Sequence, residues 1–254
     1  MQYLFRSDEL KECVRGRICG LDFLSCQRIE LNRDSSVLIV ETGSEEVALV
    51  CIGGQADYSY NGTMGTVHFK DLLYLPWKCQ VRLQTSSEAV LMRVGSPSDR
   101  DTEFAHLRFS DMARDPARHQ VFGSVETNCL RDVYMYINDQ FNASRLLMGI
   151  CEGRPGSWTS WPPHEHGSEK EELYVYFDMG QAFGLQCIYE TLETPSFCGI
   201  VRDGDMVAVP SGYHPNVGCS GGRICYFYAM AARVAGQREF MALRLQEEFV
   251  ESLA

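Results

Sequence analysis

The chain has 254 residues, enough for one large domain or two of ordinary size, and 45% of them are hydrophobic against 22% charged. These are globular proportions, without the polar bias of a disordered chain. The formal net charge of −11 argues against a nucleic-acid-binding surface, because phosphate binding depends on clustered Lys and Arg.

The first ten residues carry Arg6, Asp8 and Glu9 and contain no long apolar core, so they do not have the pattern of a secretory signal. No run of about 18 uninterrupted apolar residues predicts a membrane span. The eleven cysteines include no C-x2-C pair, and their odd number and apolar surroundings favour reduced, buried thiols. We therefore expect a cytoplasmic protein without a membrane partner.

Short apolar runs separated by turns dominate the first half of the chain. Asn61-Gly62 is a strong hairpin signal, because both residues tolerate positive φ. Strands at intervals of ~8–12 residues with little helix between them are typical of a sandwich or barrel. The expected strands are 36–41, 47–52, 55–60, 66–69, 72–76, 79–84 and 90–94.

The polar segment 110–120, interrupted by Pro116, is the best candidate for a linker. Strand-like alternation resumes at 121–137 and recurs at 145–149, 183–189 and 223–230. The last segment, 238–253, differs in having apolar residues at approximately helical spacing, which predicts an amphipathic helix packed on the barrel or on a neighbouring subunit. Its apolar residues are Phe240, Leu243, Leu245, Phe249, Val250 and Leu253, interleaved with Glu247, Glu248 and Glu251.

The most informative pattern begins at Pro162-Pro163. On an extended chain, residues two apart point to the same face, so His164 and His166 can reach one ion. Glu172 would lie on the inward face of the following strand, and a register shift of one residue would put Glu171 there instead. His214 follows a second apolar run, 206–209, and its turn.

Three imidazoles and a carboxylate suit a divalent transition ion, such as zinc, iron(II), manganese, nickel or cobalt, with coordination positions left open for substrate. A structural zinc site would more often be closed by cysteines. The predicted metal ligands are His164, His166, Glu172 and His214.

The two stretches around these residues resemble the two conserved motifs of the cupins. The sequences G-S-W-T-S-W-P-P-H-E-H and V-P-S-G-Y-H-P resemble those of 5-deoxy-glucuronate isomerase of inositol catabolism. The sequence E-L-Y-V-Y-F-D-M, residues 172–179, is instead similar to that of 5-keto-4-deoxyuronate isomerase of pectin breakdown. The likeness extends over about 145–232. The short segment between His166 and Glu172 also favours the second family.

The resemblance implies an all-β double cupin, two β-barrel or jelly-roll domains in one chain, with a C-terminal helix. Asp71 to Pro76 repeats the plan of Asp205 to Pro210, but no histidine follows it and His68 stands alone. We therefore expect a metal-free cupin-like β domain over 1–110 and a metal-binding cupin domain, including the C-terminal helix, over 111–254. A first half without a site and an exposed apolar stripe on the C-terminal helix together suggest a homo-oligomer, a dimer or a hexamer.

The function implied by the resemblance is a metal-dependent aldose-ketose isomerase of a deoxy-uronate, converting 5-deoxy-glucuronate to 5-dehydro-2-deoxy-gluconate. The alternatives are the 5-keto-4-deoxyuronate isomerase, an iron(II) cupin dioxygenase with the same ligands, and a non-catalytic sugar-binding cupin. No organic cofactor is expected. The expected partner is a small sugar acid.

Other side chains are candidates for the reaction and for substrate binding. We expect Glu172, Tyr174 or Tyr176 to move the proton, although the tyrosines could instead belong to the aromatic core. An arginine could pair with the substrate carboxylate through a two-pronged contact. The candidates for substrate binding are Arg145, Gln186, Arg202, Tyr226 and Tyr228, and Arg223 is a further candidate.

Overall fold

A computed structural model describes residues 1–253 of the chain, with side chains for residues 1–250. The described part is almost entirely β-structure, with one α-helix, α1 (Phe109–Met112), and two 3-10 helices, Glu9–Lys11 and Glu247–Leu253. The strands before α1 are β1 (Leu4–Phe5), β2 (Val14–Gly16), β3 (Leu21–Leu31), β4 (Val37–Glu41), β5 (Glu45–Tyr60), β6 (Thr63–His68), β7 (Leu72–Leu75), β8 (Gln80–Gln84), β9 (Ala89–Pro97) and β10 (Ala105–Leu107).

The strands after α1 are β11 (His119–Phe122), β12 (Arg131–Ile137), β13 (Leu146–Gly153), β14 (Trp158–Thr159), β15 (His164–Glu165), β16 (Lys170–Tyr176), β17 (Phe183–Ile188), β18 (Phe197–Arg202), β19 (Met206–Val209), β20 (Asn216–Gly218), β21 (Cys225–Ala232) and β22 (Arg244–Leu245). The all-β prediction is confirmed. No helix within residues 1–253 has the length and apolar character needed to cross a membrane.

The predicted hairpin lies where expected. Tyr60 pairs with Thr63 across Asn61-Gly62, and both turn residues have positive φ. The runs 47–52 and 55–60, expected as two strands, form the single strand β5. A bulge between Cys51 and Gly53 bends β5, so that its first part pairs with β7 and β9 and its last part with β6 and β8.

The two large sheets repeat one strand order. The first runs β10-β7-β5-β9-β3-β2 and the second β1-β19-β16-β21-β13-β12, followed by β11. Val47 pairs with Leu75 just before Pro76, and Glu172 pairs with Val209 just before Pro210. The duplicated plan of a double cupin is therefore present, and Val47 occupies in the first half the position that Glu172 has in the second.

The two halves share a core. One large apolar cluster contains residues from both halves, among them Leu24, Val50, Met148 and Phe227, while a smaller cluster lies within the first half. The N-terminal strand β1 pairs with β19 of the second sheet. A boundary near residue 110 remains a proposal, and segment 110–120, expected as a linker, contains the end of α1 and the start of β11.

Two buried glutamates join the halves reciprocally. Glu46 accepts hydrogen bonds from the backbone N–H groups of residues 144–146, at 2.6–2.9 Å. Glu171 accepts them from residues 22–24, at 2.7–3.0 Å. These glutamates immediately precede Val47 and Glu172, the residues that occupy equivalent positions in the two halves. Through its glutamate, each half therefore binds the start of a strand in the other half.

The C-terminal segment differs from the prediction. Only Glu247–Leu253 is helical, as a 3-10 helix, and β22 pairs with β15, where Leu245 is opposite His164. The extended chain satisfies backbone groups beside the metal motif, and Gln246 N–H donates to the Pro163 carbonyl. The pairing of β22 with β15 outweighs the helical periodicity of this segment, because tertiary contacts commonly override helix propensity. The side chains of Glu251 and Leu253 lie outside those described.

Candidate metal centre

Three short segments bring the predicted ligands together. His164 is on β15 and His166 follows it, Glu172 is on β16, and His214 lies in the turn between β19 and β20. The pairing of Glu172 with Val209 places that turn beside the carboxylate. The ligand atoms of the three histidines lie within 4.8 Å of one another.

The carboxylate completes the cluster. Glu172 Oε2 lies 3.1 Å from His166 Nε2 and 3.0 Å from His214 Nε2. Glu172, His166 and His214 are buried, and His164 is the most accessible of the four. Glu171, the alternative ligand in sequence, faces away and binds the backbone of residues 22–24. The register inferred from strand alternation therefore agrees with the structure.

Backbone carbonyls orient two of the imidazoles. Nδ1 of His164 lies 3.1 Å from the Pro162 carbonyl oxygen, and Nδ1 of His214 lies 2.8 Å from that of Gly212. Because a carbonyl oxygen only accepts hydrogen bonds, each Nδ1 carries the proton and donates it. This leaves Nε2 of both rings with a lone pair available to a metal.

The cluster fits a bound cation. His214 Nε2 is buried and has no hydrogen-bond partner in the described part of the chain, and His166 Nδ1 is in the same condition. His214 Nε2 also lies 3.0 Å from Glu172 Oε2, so the imidazole nitrogen and the carboxylate converge on one point. A divalent ion bound between the four side chains would give this buried nitrogen a partner and would bind the carboxylate at the same time.

The protonation states also suit a metal. Burial and then the neighbouring His214 and His166 hold the pKa of His164 well below its usual value, so its ring is neutral. Burial by itself would raise the pKa of Glu172, but the contacts with His166 and His214 outweigh it, and this pKa is lowered. Neutral imidazole and ionised carboxylate are the forms that bind divalent ions.

The cluster opens into a cavity of about 250 Å³. His164, His166 and Glu172 line it, and most of the remaining wall is aromatic or aliphatic. Among the described side chains that line the cavity, Glu172 is the only carboxylate and Arg131 the only arginine or lysine. The other lining residues are Phe122, Gly123, Val133, Cys151, Ser160, Trp161, Pro162, Tyr174, Tyr226, Tyr228, Met230, Phe240, Met241, Leu243 and Leu245.

The tyrosines divide into two groups. Tyr174, Tyr226 and Tyr228 line the cavity, and the Tyr174 hydroxyl lies 3.2 Å from Ser160 Oγ. Tyr176 does not line it; its hydroxyl donates to Gln186 Oε1 at 2.6 Å. Tyr176 therefore lies behind the cavity wall, away from the position expected of a proton carrier.

Gln186 has a supporting position and does not line the cavity. Its Nε2 donates to the backbone carbonyl of His214 at 2.8 Å, and its Oε1 accepts from Asn216 and Tyr176. This fully buried amide holds the turn that carries His214. It positions a predicted metal ligand and is not placed to bind substrate.

The predicted arginines lie elsewhere. The Arg145 guanidinium donates to the carbonyls of Pro97, Ala232 and Arg233 and stacks 4.8 Å from the centre of the Phe23 ring. It lies at the junction of the halves, next to the backbone bound by Glu46. Arg202 is exposed on β18 and does not line the cavity.

Arg223 pairs with Glu152 and Asp178, which also bind Lys70. Both carboxylates of this cluster are therefore neutralised by cations of the chain itself. Arg223 is not among the residues that line the cavity.

Sequence reasoning missed Arg131. It begins β12, shares a strand face with Val133, and both residues line the cavity. Its guanidinium donates to the carbonyls of Cys129 at 3.0 Å and Trp161 at 2.7 Å. Alternation along β12 placed it on the face of Val133, but the sequence gives no sign that this face turns toward the histidines.

The duplicated strand order, the large sheets and the histidine–glutamate cluster define a double cupin with the geometry of a metal site in its second half. The chain belongs to the KduI/IolB family, whose sequence model matches residues 6–244. The predicted fold and family are both confirmed.

Two curated relatives are similar over most of their length. The chain is 26% identical to a 5-deoxy-glucuronate isomerase of Shouchella clausii, over 84% of this chain and 82% of the relative. It is also 26% identical to 4-deoxy-L-threo-5-hexosulose-uronate ketol-isomerase 1 of Rhizobium meliloti, over 76% and 70%. The chain is thus equally similar to these two relatives.

Solved structures show the same fold. An IolB-like protein from Salmonella typhimurium superimposes with a TM-score of 0.83 at 18% identity, covering both chains fully. The Bacillus subtilis oxalate decarboxylase, a protein with Mn(II) centres, gives 0.60 at 13% identity over 96% of this chain and 74% of that chain. At these identities the likeness concerns the fold alone.

Proposed function

We propose that the protein is a metal-dependent ketol-isomerase of a six-carbon deoxy-uronate, with conversion of 5-deoxy-glucuronate to 5-dehydro-2-deoxy-gluconate in inositol catabolism as the first candidate. The observation that carries the proposal is the histidine–glutamate cluster in a largely apolar cavity with one arginine. The names and similarity of the relatives support the reaction class. We place the reaction in the cytoplasm.

In this proposal His164, His166, Glu172 and His214 hold one divalent ion, zinc, iron(II), manganese, nickel or cobalt. Such an ion would supply Lewis acidity, which stabilises the negative charge of an enediolate. The carbonyl contacts of His164 and His214 keep their rings oriented, and the Gln186 amide keeps the His214 turn in place. The chain thus preorganises the ligands before substrate arrives.

Moving a proton between adjacent carbons needs a group that removes it and returns it. Among the side chains described, those of residues 1–250, Glu172 is the only carboxylate that lines the cavity, so we assign this transfer to it. Burial, followed by the charge of Glu172, raises the pKa of Tyr174 well above its usual value. Tyr174 therefore keeps its proton and donates a hydrogen bond to a substrate oxygen. The earlier assignment of Tyr176 is abandoned because its hydroxyl is bound to Gln186.

A uronate also needs a partner for its carboxylate. We assign Arg131 to this contact, in place of Arg145 and Arg202, because no other arginine or lysine with a described side chain lines the cavity. Tyr226 and Tyr228 remain proposed contacts for the sugar hydroxyls. A planar guanidinium can bind a carboxylate through two parallel hydrogen bonds.

The test supplies both candidate uronates to the purified protein and follows the products by NMR, together with metal content by mass spectrometry. We expect about one ion per chain, conversion of 5-deoxy-glucuronate, and loss of metal and conversion in His214→Ala. Conversion of 4-deoxy-L-threo-5-hexosulose-uronate alone would assign the protein to the other branch of the family. Binding without conversion of either sugar, or oxygen uptake by the iron form, would contradict the isomerase proposal.

A further inference from the structure

Two cysteines face each other on a four-stranded sheet of the second half, whose strand order is β14-β20-β17-β18. Cys187 on β17 and Cys198 on β18 are directly opposite in the antiparallel register. Their Sγ atoms lie 3.2 Å apart, and both cysteines are free thiols. The sequence predicted reduced, buried thiols, but Cys198 is exposed and Cys187 only half-buried. This pair needs a separate explanation.

The backbone geometry permits a bond between them. The N–H of Cys187 donates to the Pro215 carbonyl on the opposite side of β17, so Cys187 and Cys198 form a non-hydrogen-bonded pair of the β17–β18 ladder. Such pairs have Cα atoms about 4.5 Å apart, the closest approach in an antiparallel sheet. Disulfides span Cα separations of about 4.4–6.8 Å. The two sulfur atoms can therefore bond without separating the strands.

The two thiols differ in reactivity. Burial and then the neighbouring Cys198 raise the pKa of Cys187 to about 12, so this thiol is a poor first nucleophile near neutral pH. Cys198 is open to solvent and can meet a small disulfide first. Cys187 is then the thiol already in contact with the modified sulfur.

We propose that Cys187 and Cys198 form a redox-active dithiol that is oxidised by low-molecular-weight disulfides such as oxidised glutathione. The Cys198 thiolate attacks one sulfur of the glutathione disulfide, forms a mixed disulfide and releases one glutathione thiolate. Cys187 then loses its proton to solvent and attacks Cys198 Sγ, forming the Sγ–Sγ bond and releasing the second glutathione thiolate. The two released protons end on the two glutathiones, so one disulfide is exchanged for another.

The bond would lie close to the candidate metal centre. Gln186, next to Cys187 on the opposite face of β17, holds the His214 turn through its side-chain amide. The disulfide would link β17 to β18 on the sheet face opposite to the Gln186 side chain. The proposal concerns the thiols themselves and does not depend on the reaction assigned to the cavity.

The sequence allows a direct measurement. Trypsin releases residues 171–202 as one peptide, which contains these two cysteines and no others. After incubation of the intact protein with oxidised glutathione and blocking of free thiols, we expect this peptide to be lighter by two hydrogens and to carry no blocking group. Glutamate-specific cleavage at Glu190 and Glu193 should leave its two halves joined, and dithiothreitol should separate them.

Two variants identify the order of attack. In Cys187→Ser, Cys198 should retain one glutathione, because no neighbouring thiol displaces it. In Cys198→Ser, Cys187 should remain unmodified. A stable glutathione on Cys198 of the unsubstituted protein, a disulfide-linked dimer through Cys198, or a fully blocked pair of thiols after oxidation would each overturn the proposal.

Discussion

At the scale of single residues, the adjacent carboxylates on β16 have different tasks. Glu172 faces the histidines and the cavity, while Glu171 faces the backbone of the first half. The strand period of two residues produces this separation, because neighbouring side chains point to opposite faces. Isosteric substitutions of Glu171 and of Glu172 therefore distinguish a contribution to the stability of the fold from a contribution to the candidate metal centre.

We expect Glu172→Gln to lose bound metal and to lower kcat by about 100-fold or more, since an anionic ligand and the proposed proton carrier are both removed. Glu171→Gln should keep its metal but lower the free energy of unfolding by about 1–3 kcal/mol, because backbone N–H groups lose a charged acceptor. Metal analysis, kinetics and urea unfolding of both variants check this. Equal metal content in the two variants would contradict the assignment.

Arg131 provides a second test at this scale. Replacing Arg131 by Lys keeps the charge but removes the planar pair of hydrogen-bond donors. We expect KM for the uronate to rise about 10-fold or more, because the variant loses a charge-assisted hydrogen bond that contributes about 1.5–3 kcal/mol. Arg202→Gln is the comparison, since Arg202 is exposed and outside the cavity. A larger rise in KM in Arg202→Gln than in Arg131→Lys would restore the assignment made from sequence.

At the scale of elements, the reciprocal glutamates explain how the two halves are joined. Each carboxylate binds three consecutive backbone N–H groups at the start of a strand in the other half, β13 for Glu46 and β3 for Glu171. Buried polar groups that remain unpaired are costly, so each contact stabilises the strand start and satisfies the carboxylate. Each half therefore carries its own copy of the contact that joins it to the other half.

We expect Glu46→Gln to reduce the free energy of unfolding by about 1–3 kcal/mol, as Glu171→Gln does, because an amide oxygen is a weaker acceptor and its NH2 group faces backbone donors. Metal content should not change, since Glu46 lies in the first half and is not among the cavity residues. Calorimetry with metal analysis tests this. Unchanged stability in both glutamine variants would mean that the contacts do not hold the halves together.

At the scale of the whole molecule, the C-terminal segment no longer supports oligomerisation. Phe240, Leu243 and Leu245, expected to form an exposed helical stripe, line the cavity. A different apolar surface is exposed on β4 of the first half, at Val37 and Ile39, which are 43% and 55% accessible. Groups of exposed apolar side chains on one sheet face are typical of contact surfaces.

We therefore keep the proposal of a homo-oligomer, a dimer or a hexamer, and assign the contact to this face of β4. Light scattering after size exclusion should give a multiple of the 28.7 kDa chain mass at micromolar concentration. Ile39→Glu should shift the protein toward the monomer, because an unpaired charge would be buried at the contact. A monomeric unsubstituted protein would rule the proposal out.

The sequence alone indicated the all-β class and the candidate ligand set through local periodicity: His164 and His166 two residues apart, Glu172 in an alternating strand, and His214 after a Pro-bounded run. The double cupin and the family followed from the resemblance of the motifs around these residues. Only the tertiary structure decided which arginine faces the cavity, that Tyr176 and Gln186 support the site from behind, and that residues 244–245 form a strand. These outcomes depend on how sheets close and on which distant backbone groups need partners, and neither is encoded in the spacing of neighbouring residues.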